Sequence, residues 1–488
     1  GNEKSVTGAL GIDLKARDIK KAFLLFNCTN IILGTGGPAG IYRDSVYPAL
    51  QSGSTGLAIM AGATAQNLTE SQFGIASVRF RWNLSGSYQQ VIPQYFSTDR
   101  NGKERKEFLN EYFPDIRTLT KAVFLKGYQW PFDPAKTADY GSSLIDLLVY
   151  REKVIRGRRV FLDYRVNPSG PAGEKFSLTG LDSEVYDYLN KSDALKKTPV
   201  ERLRAMNNPA ADLYLRHNID LSKEPLEISV SVQHNNGGLK GNIWWESDLK
   251  HLFPVGEVNG SHGVYRPGGS ALNSGQVGGS RAAYYISKRY SDPPPENKDF
   301  THASESSLIE ILSLAAAWFE NKREDCIKPA AILRIIRERM SESGGIIRNK
   351  NKVEEAAGDA WKLWHSVDGL LSASSVGELA DAFRAREHCL THLVYLEAIK
   401  KYISGGGRSR GSYIVSDKKG SKPLKDLEEM FSFSLCRYDR KIENHILEIK
   451  MVKGNILSEL RQVRPIPRQD LWFEKVWRQN IEDKIAGG

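Results

Sequence analysis

The sequence predicts an α/β protein, and three observations support this class. A buried β-type run ends in a glycine cluster at "NIILGTGGPAGIY", and strand-like text returns after a long insertion at "LEISVSVQHNNGG". Beyond the linker-like "SDPPPENKD", near residues 291–299, the apolar pattern becomes helical. A chain of 488 residues is long enough for two or three hydrophobic cores.

The first elements follow from local patterns. Residues 1–26 predict a short hairpin, in which "SVTGALGIDL" and "KKAFLLF" are joined by a polar "KARD" turn. "STGLAIMAGATAQ" predicts a helix of small residues that packs closely on a sheet. The glycine cluster 34–40 has the spacing of a dinucleotide fingerprint, but "IYRDSVYP" does not begin an amphipathic helix. A tight turn after the strand is therefore favoured.

Residues 80–225 have a different character and predict a separate inserted domain. They contain charged amphipathic helices, as in "RKEFLNEYFPDIRTLTKAVFLK", isolated strands, as in "RRVFLDYRV", and aromatic loops, as in "KGYQWPFDP". After this insertion, strands are expected at "LEISVSVQHNNGG" and "HLFPVGE".

Helices dominate the region after the linker. The residues expected on one helix face are Leu308, Ile311, Leu312, Ala315 and Phe319, and those on the next are Ile332, Ile335, Ile336 and Met340. "SGGGRSRGS" is expected to end the helices, because glycine runs break them. The tail "CRYDRKIENHILEIKMVKGNILSELRQV" predicts two strands, or a strand and a helix.

Composition excludes several classes of protein. The net charge of +10 is spread along the chain, so short basic clusters such as "REKVIRGRR" indicate solvated faces rather than nucleic-acid binding. No apolar run reaches the roughly 18 residues that span a bilayer. Four scattered cysteines and the absence of a signal-peptide pattern at "GNEKSVTGALG" predict a reduced, cytoplasmic protein.

The stretch "LFPVGEVNGSHGVYRPGGSALNSGQ" is the strongest candidate for a functional site. It places Glu257, His262 and Arg266 immediately before a glycine-rich helix start. Glycines let backbone approach a flat ligand, and Ser270 is expected to cap the helix. The free N–H groups of such a helix start would stabilise negative charge on the edge of a reduced isoalloxazine ring. The alternative is a surface loop followed by a capped helix.

Several motifs, in one order, resemble the flavoproteins of the fumarate reductase, succinate dehydrogenase and aspartate oxidase superfamily. "LFPVGEVNGSHGVYRPGGSAL" is similar to that family's flavin-binding segment, and "QHNNGGLKGN" to its His-Tyr-x-Met-Gly-Gly turn. "IILGTGGPAGIY" resembles its Ala-Thr-Gly-Gly motif, and "RRVFLDYR" its capping-domain strand. "SESGGIIRN" and "GGGRSRGS" resemble its helical domain. The matching segments run from about residue 5 to 415.

The resemblance implies a partial Rossmann-like FAD-binding domain, interrupted by an α+β capping domain and followed by a helical C-terminal domain. The expected boundaries are 1–82 and 228–292 for the FAD-binding domain, 83–227 for the cap, 300–415 for the helical domain and 416–488 for a C-terminal extension. The family's Gly-x-Gly-x-x-Gly segment, which binds ADP, is not found in these residues. A preceding segment or a second polypeptide is therefore expected to complete the FAD-binding domain.

The resemblance also implies the cofactor and the site residues. The residues expected to contact FAD are Thr35, Gly36, Gly37, Thr55, Glu257, Gly268, Gly269, Ser270, Ala271 and Leu272. His234 and Arg266 are expected to bind an anionic substrate beside the flavin. The implied reaction is hydride transfer between flavin N5 and a carbon, which reduces an activated C=C bond or reverses that reduction.

Three departures from the family pattern affect the substrate. Thr55 replaces an acid that contacts the cofactor, and Gly74 replaces a substrate-binding histidine. The capping-domain arginine that delivers protons has no clear match, which leaves Lys121, Lys126 or Arg266 as the expected proton donor. A simple C4 dicarboxylate is therefore not expected as the substrate. The aromatic segments "GSYQQVIPQYF" and "KGYQWPFDP" either widen the pocket or belong to the core of the cap.

Two other interpretations remain open. An adenylylsulfate-reductase-like subunit would pass electrons to an iron–sulfur partner, and a non-catalytic subunit would keep a degraded flavin fold. No metal site is expected: His388 and His392 share a helix face, but no third ligand is apparent. His262 is expected to shape its loop or contact flavin, and Tyr265 to line the pocket.

Overall fold

The computed structural model describes residues 4–48, 50–290, 292–463, 475, 477–479 and 481–482 of the 488-residue chain. None of the helices that these residues form combines the length and the apolar character needed to cross a bilayer.

The amino-terminal part is built from short strands and one helix. Its elements are β1 Gly8–Ile12, β2 Phe23–Asn27, β3 Ile31–Leu33, α1 Thr55–Ala61, β4 Ala65–Gln66, β5 Ser71–Ser77 and β6 Trp82–Asn83. Strands β1 and β2 pair in antiparallel register from Gly8–Asn27 to Ile12–Phe23, which confirms the predicted hairpin.

The inserted region contains most of the small helices. Its elements are α2 Ser87–Gln90, β7 Gln94–Thr98, α3 Ile116–Leu125, α4 Leu144–Tyr150, β8 Arg159–Asp163, α5 Ser183–Lys191 and α6 Pro199–Arg216. The segment "RKEFLNEYFPDIRTLTKAVFLK", predicted to form amphipathic helices, is helical in two pieces, a short 3₁₀-helix at Phe108–Glu111 and α3. Pro114 stands in its middle, and α3 begins only at Ile116, where the Asp115 carboxylate accepts a hydrogen bond from the Thr118 N–H at 2.7 Å.

The chain then returns to the first part through β9 Leu226–Asn235, β10 Gly238–Leu239, β11 Leu252–Pro254 and α7 Ser270–Arg289. Strand β11 pairs in parallel with β3, so the loops that follow these two strands lie at the same edge. A five-stranded sheet has the order β6-β5-β9-β8-β7, with antiparallel neighbours. This sheet joins strands from both sides of the expected boundaries near residues 82 and 227.

The helical region consists of α8 Asn297–Glu320, α9 Pro329–Ser343, the short strand β12 Ile347–Arg348, α10 Lys350–Leu370 and α11 Val376–Ser404. The predicted face of α9 is buried at Ile332, Ile336 and Met340. On α8 the buried positions are Phe300, Ala315 and Trp318, whereas Leu312 is exposed. Helix α11 ends at Ser404, immediately before the predicted glycine break.

The remaining elements are β13 Ile414–Ser421, α12 Lys441–Asn444, β14 His445–Val452 and β15 Asn455–Gln462. Of the two interpretations of the tail, the pair of strands is the one observed, since β14 and β15 form an antiparallel hairpin. Strand β14 also pairs with β4, so the tail extends a sheet of the amino-terminal part.

Candidate functional site

The loops after β3 and β11 meet because their strands are parallel neighbours. Thr35, Gly36 and Gly37 follow β3, and Glu257 follows β11. Any Cβ atom at position 37 would collide with the Glu257 carboxylate, so this approach requires glycine. The structure therefore brings together the predicted glycine turn and the predicted acid, which are far apart in the sequence.

Glu257 is partly buried, with 14% of its side chain exposed, and accepts hydrogen bonds at both oxygens. Its Oε1 accepts from the Asn235 N–H at 2.7 Å, and its Oε2 accepts from the Tyr47 hydroxyl. Burial raises the pKa of the Glu257 carboxyl to about 7. Tyr47 was not identified from the sequence, because "IYRDSVYP" carries no motif that distinguishes it from a surface loop.

We expect Glu257 to make folding stability depend on pH. An unfolded glutamate ionises near pH 4.5, whereas the folded Glu257 keeps its proton to about pH 7. Across that window the free energy of unfolding should fall as pH rises, by on the order of 3 kcal/mol, and then stay level. The substitution Glu257→Gln removes this titration. The free energy of unfolding of wild type and of the variant is measured by urea unfolding from pH 4.5 to 8, and the difference between the two should change across the window. A constant difference would refute the raised pKa of Glu257.

His234, His262 and Arg266 form a second cluster beside Glu257. The two imidazole rings are 4.8 Å apart, and His234 Nε2 is 3.8 Å from Glu257 Oε2. His234 Nδ1 is hydrogen-bonded to Asn236 Oδ1 at 2.9 Å. Burial, followed by the charge of Arg266, lowers the pKa of His234 to about 3 and lowers that of His262 as well, where burial is again the largest cause. Both imidazoles are therefore neutral near pH 7.

Arg266 is held in one position by its neighbours. Its Nε donates to Gln72 Oε1 at 2.8 Å, and the Gln72 side-chain amide donates to the Arg266 carbonyl oxygen at 3.0 Å. Its Nη1 donates to the Pro267 carbonyl at 3.3 Å, and the Trp130 ring lies 5.6 Å from its Cζ. Within the described part of the chain, Nη2 donates no hydrogen bond. The guanidinium is thus fixed on one side and has donors left for a ligand.

A cavity of about 370 Å³ lies against Arg266. Its wall consists of Gln72, Trp130, Pro131, Phe132, Asp133, Lys136, Val264, Tyr265, Arg266, Pro267, Gly411 and Ser412. The cavity lies between the inserted region that contains α2 to α6, the segment before α7 and the loop after α11. Lys136, Gly411 and Ser412 were not identified from the sequence, although "GGGRSRGS" marked the last two as part of a glycine-rich break.

The two lysines proposed as proton donors do not line this cavity. Lys121 Nζ pairs with Asp182 at 3.2 Å near the surface of the inserted region. Lys126 is buried and forms an ion pair with the buried Asp146. The lysine of the inserted domain that does reach the cavity wall is Lys136.

The start of α7 faces open space. Cβ atoms at Gly256, Gly268 and Gly269 would meet no atom within 4 Å, and Leu272 is 79% exposed. The prediction that Ser270 caps this helix is wrong. Gly269 is the N-cap with φ of +78°, and the Ser270 hydroxyl donates to the Pro267 carbonyl at 2.8 Å. Ala271 is partly exposed beside them.

Glu387 of α11 lies close to Thr55 and Gly56 at the start of α1. Thr55 is fully buried, and its hydroxyl has no hydrogen-bond partner among the described residues. The N–H of Gly56 donates to Glu387 Oε1 at 3.0 Å. Thr35 is tied to the same loop, because its hydroxyl donates to the Gly53 carbonyl. Glu387 was not identified from the sequence, since only the tertiary fold brings α11 to α1.

His388 and His392 are buried on α11. The Nδ1 of His388 lies 2.9 Å from the Arg384 carbonyl, and His392 Nδ1 lies 3.2 Å from the His388 carbonyl. Over the residues that the structure describes, no group of three or more His, Cys, Asp or Glu side chains is arranged to hold a metal ion.

Comparison with known proteins places this geometry in context. No family model matches the chain. It is 23% identical over 429 residues to one subunit of the CoM/CoB fumarate reductase of Methanothermobacter marburgensis, covering 87% of the chain and 65% of the relative. It is 28% identical over 206 residues to an uncharacterised FAD-dependent oxidoreductase of Methanocaldococcus jannaschii, covering 42% of the chain and 35% of that protein.

Solved structures of a fumarate reductase and of an adenylylsulfate reductase share the fold of this chain. A variant of E. coli quinol fumarate reductase superposes with a TM-score of 0.63 at 15% identity, covering 96% of this chain and 71% of that one. The chain has the fold of these flavoproteins. Adenylylsulfate reductase of Archaeoglobus fulgidus superposes with a TM-score of 0.56 at 15% identity, covering 96% and 72%. The predicted resemblance and fold class are confirmed, and the relatives' names agree with the predicted class of FAD-dependent oxidoreductase.

Proposed function

We propose that this chain is part of a FAD-dependent oxidoreductase acting on an anionic substrate other than a simple C4 dicarboxylate. The observation that supports this most directly is Arg266, which is held by Gln72 on the wall of a cavity close to the start of α7. A fixed guanidinium with free donors is suited to binding a carboxylate. The chain spans 65% and 35% of the lengths of the two relatives named above, so this activity belongs to the complete enzyme.

The residues present fit a flavin. Gly34, Gly256, Gly268 and Gly269 border space in which an added Cβ meets no atom within 4 Å, so a flat ring could approach the backbone there. The N–H groups at Ser270, Ala271 and Leu272 open α7 and would donate to the negative edge of the ring. Glu257 would accept a hydrogen bond from a ribityl hydroxyl in place of the Tyr47 hydroxyl. When bound, FAD would exchange a hydride with the substrate through its N5 atom.

The side chains around the cavity would then act on the substrate. Arg266 would bind and orient the anionic group at the cavity wall. Neutral His234 does not line this cavity but lies beside Glu257, where it would donate or accept a hydrogen bond without adding a charge. In place of Lys121 and Lys126, we propose Lys136 or Arg266 as the proton donor, since both reach the cavity wall. The apolar Trp130 and Phe132 would exclude water from the same space.

A further nucleotide-binding segment, in the same polypeptide or a second one, is proposed to complete the cofactor site. Within the described residues, β3 and β11 form a parallel sheet of only two strands, and Ile32 is 54% exposed. Parallel sheets are normally covered on both faces. Leu24, Leu25 and Phe26 of β2, the strand that precedes β3 in the sequence, are also exposed. A segment with the Gly-x-Gly-x-x-Gly turn would supply more strands and hold the ADP phosphates.

We expect residues 1–488 alone to bind FAD weakly, on the order of 10³-fold more weakly than the completed enzyme, because several charged hydrogen bonds to phosphate are missing. Flavin content after gel filtration measures this, using absorbance near 450 nm. A chain that remains yellow without any partner would disprove the proposal of an incomplete cofactor site. A completed assembly that stays colourless would instead favour a non-catalytic subunit.

An electron-transfer partner with an iron–sulfur cluster is also proposed. The fold shared with adenylylsulfate reductase and fumarate reductase supports this proposal. Isolation of the chain from its native source with a cysteine-rich subunit would support it, and a flavin-containing enzyme that is isolated and active as a single polypeptide would oppose it.

A further inference from the structure

Trp130 occupies the space that a side chain at position 74 would need. A Cβ atom on Gly74 would lie 2.7 Å from Trp130 Nε1 and 3.0 Å from Trp130 Cδ1. Gly74 lies within β5, and its φ is outside the left-handed region, so the backbone itself does not require glycine there. The requirement comes from the indole, which projects from the inserted domain against this strand. An apolar ring therefore stands where a longer side chain on β5 would otherwise project.

Among the described residues, one cationic side chain on the cavity wall has no carboxylate partner and can bind an anionic ligand. The charged lining residues are Arg266, Lys136 and Asp133. Lys136 Nζ lies 4.0 Å from Asp133 Oδ2, so the charges of these two residues offset each other. Arg266 has no carboxylate within 4.0 Å among the described residues, and its guanidinium faces the Trp130 ring. The cavity thus has a net positive charge of one, which lies at Arg266.

Much of the remaining wall is apolar. Trp130, Pro131 and Phe132 contribute a continuous segment from the inserted domain, and Val264 and Pro267 face the same cavity. A second carboxylate placed against this apolar surface would lose its hydration without gaining a partner, which disfavours its binding. A phenyl or branched alkyl group in the same place would bind more tightly, because its apolar surface is removed from water.

We propose that this cavity binds a monocarboxylate whose remaining part is apolar, such as an α,β-unsaturated acid with an aromatic or branched substituent. Arg266 binds the carboxylate, and Trp130 determines specificity by occupying the space beside Gly74. The reaction of such a ligand rests on the proposed function, whereas its binding requires no flavin. The volume of about 370 Å³ is in the range of small-molecule pockets.

Isothermal titration of the full chain without flavin, using trans-cinnamate and fumarate as probes, tests this proposal. We expect cinnamate to bind at least about 10-fold more tightly than fumarate. Arg266→Gln should weaken cinnamate binding by at least about 30-fold, because the carboxylate loses its cation. Arg281→Gln is the matched control, since Arg281 also donates to a backbone carbonyl, that of Ile243, and lies over a tryptophan ring, that of Trp244. Its cinnamate affinity should equal that of wild type.

A double substitution tests the role of Trp130 separately. Trp130→Ala with Gly74→His removes the indole and adds a side chain that can bind a second carboxylate. The affinity ratio of cinnamate to fumarate should then fall by at least about 10-fold. The comparison of cinnamate and fumarate binding uses the wild-type chain, so it still tests the proposal if the double variant misfolds.

Three results would overturn it: fumarate binding as tightly as cinnamate, neither probe binding, or cinnamate binding that is indifferent to Arg266→Gln. A chain that binds cinnamate through Arg266 but never acquires flavin would uphold this inference while the proposed function fails.

Discussion

Replacing Arg266 with alanine is expected to reduce kcat/KM of the flavin-loaded enzyme by about 10³-fold, while the flavin content per chain stays near that of wild type. Arg266 lies on the cavity wall and is 8% exposed, so its charge acts where little water screens it. Its hydrogen bonds to Gln72 and the Pro267 carbonyl leave Nη2 for the substrate. Steady-state kinetics and absorbance near 450 nm provide the two measurements.

Two controls separate binding from structure. Arg266→Lys keeps the charge but loses the forked donors, so it should recover only a small part of the activity. Arg281→Ala removes an arginine from the later turns of α7 and should leave kcat/KM nearly unchanged. If Arg266→Ala loses flavin in proportion to activity, then Arg266 supports the cofactor site structurally and does not bind substrate.

The second large effect is expected from Arg410→Met, which should lower the free energy of unfolding by about 3–5 kcal/mol. Arg410 and Glu70 are both buried, and the guanidinium donates to Glu70 Oε1 at 3.0 Å from Nε and at 2.7 Å from Nη2. Removing Arg410 leaves the Glu70 carboxylate buried without its cation. Urea unfolding followed by circular dichroism measures the change.

A surface pair provides the matched control. Arg159 also donates twice to one carboxylate, that of Glu227, but the two side chains are 43% and 29% exposed. Arg159→Met should therefore cost no more than about 1 kcal/mol. Adding Glu70→Gln to Arg410→Met should restore part of the loss, because the uncompensated charge disappears. If Arg410→Met and Arg159→Met lower the free energy of unfolding equally, then burial does not increase the contribution of the Arg410–Glu70 pair to stability.

This buried pair also connects stability to the site. Glu70 immediately precedes β5, which holds Gln72, and Arg410 immediately precedes Gly411 and Ser412 on the cavity wall. The Phe73 N–H donates to the Ser412 hydroxyl oxygen at 2.8 Å, which joins the same two segments again. The loop after α11 is thus held against β5, and one wall of the cavity depends on this contact.

Much of the architecture was predictable because its signals are local. The β1–β2 hairpin, the buried face of α9 and the end of α11 at Ser404 each follow from patterns within about 20 residues. The glycine turn at 35–37 and the stretch that contains Glu257 and Arg266 were found for the same reason. The glycines of the first stretch allow backbone conformations and close contacts that other residues do not. The charged side chains of the second stretch are suited to binding a ligand.

Other expectations failed or missed residues where distant segments interact. Lys121 and Lys126 were chosen for their position in the chain, but their carboxylate partners, Asp182 and Asp146, hold them elsewhere in the inserted domain. Ser270 does not cap α7, because it is the first residue of the helix and its hydroxyl donates to the Pro267 carbonyl, while Gly269 holds the N-cap position. Tyr47, Lys136 and Glu387 had no local signal at all.

The sequence alone therefore determined the class of fold, the glycine-dependent turns and the presence of an acid and an arginine in the segment before α7. Only the tertiary structure decided which side chains meet. Arg266 and Gln72 are 194 residues apart, Arg410 and Glu70 are 340 apart, and Glu387 reaches Gly56 across 331 residues. Periodicity and turn chemistry act over a few residues, whereas such contacts depend on how complete elements pack, which no local pattern specifies.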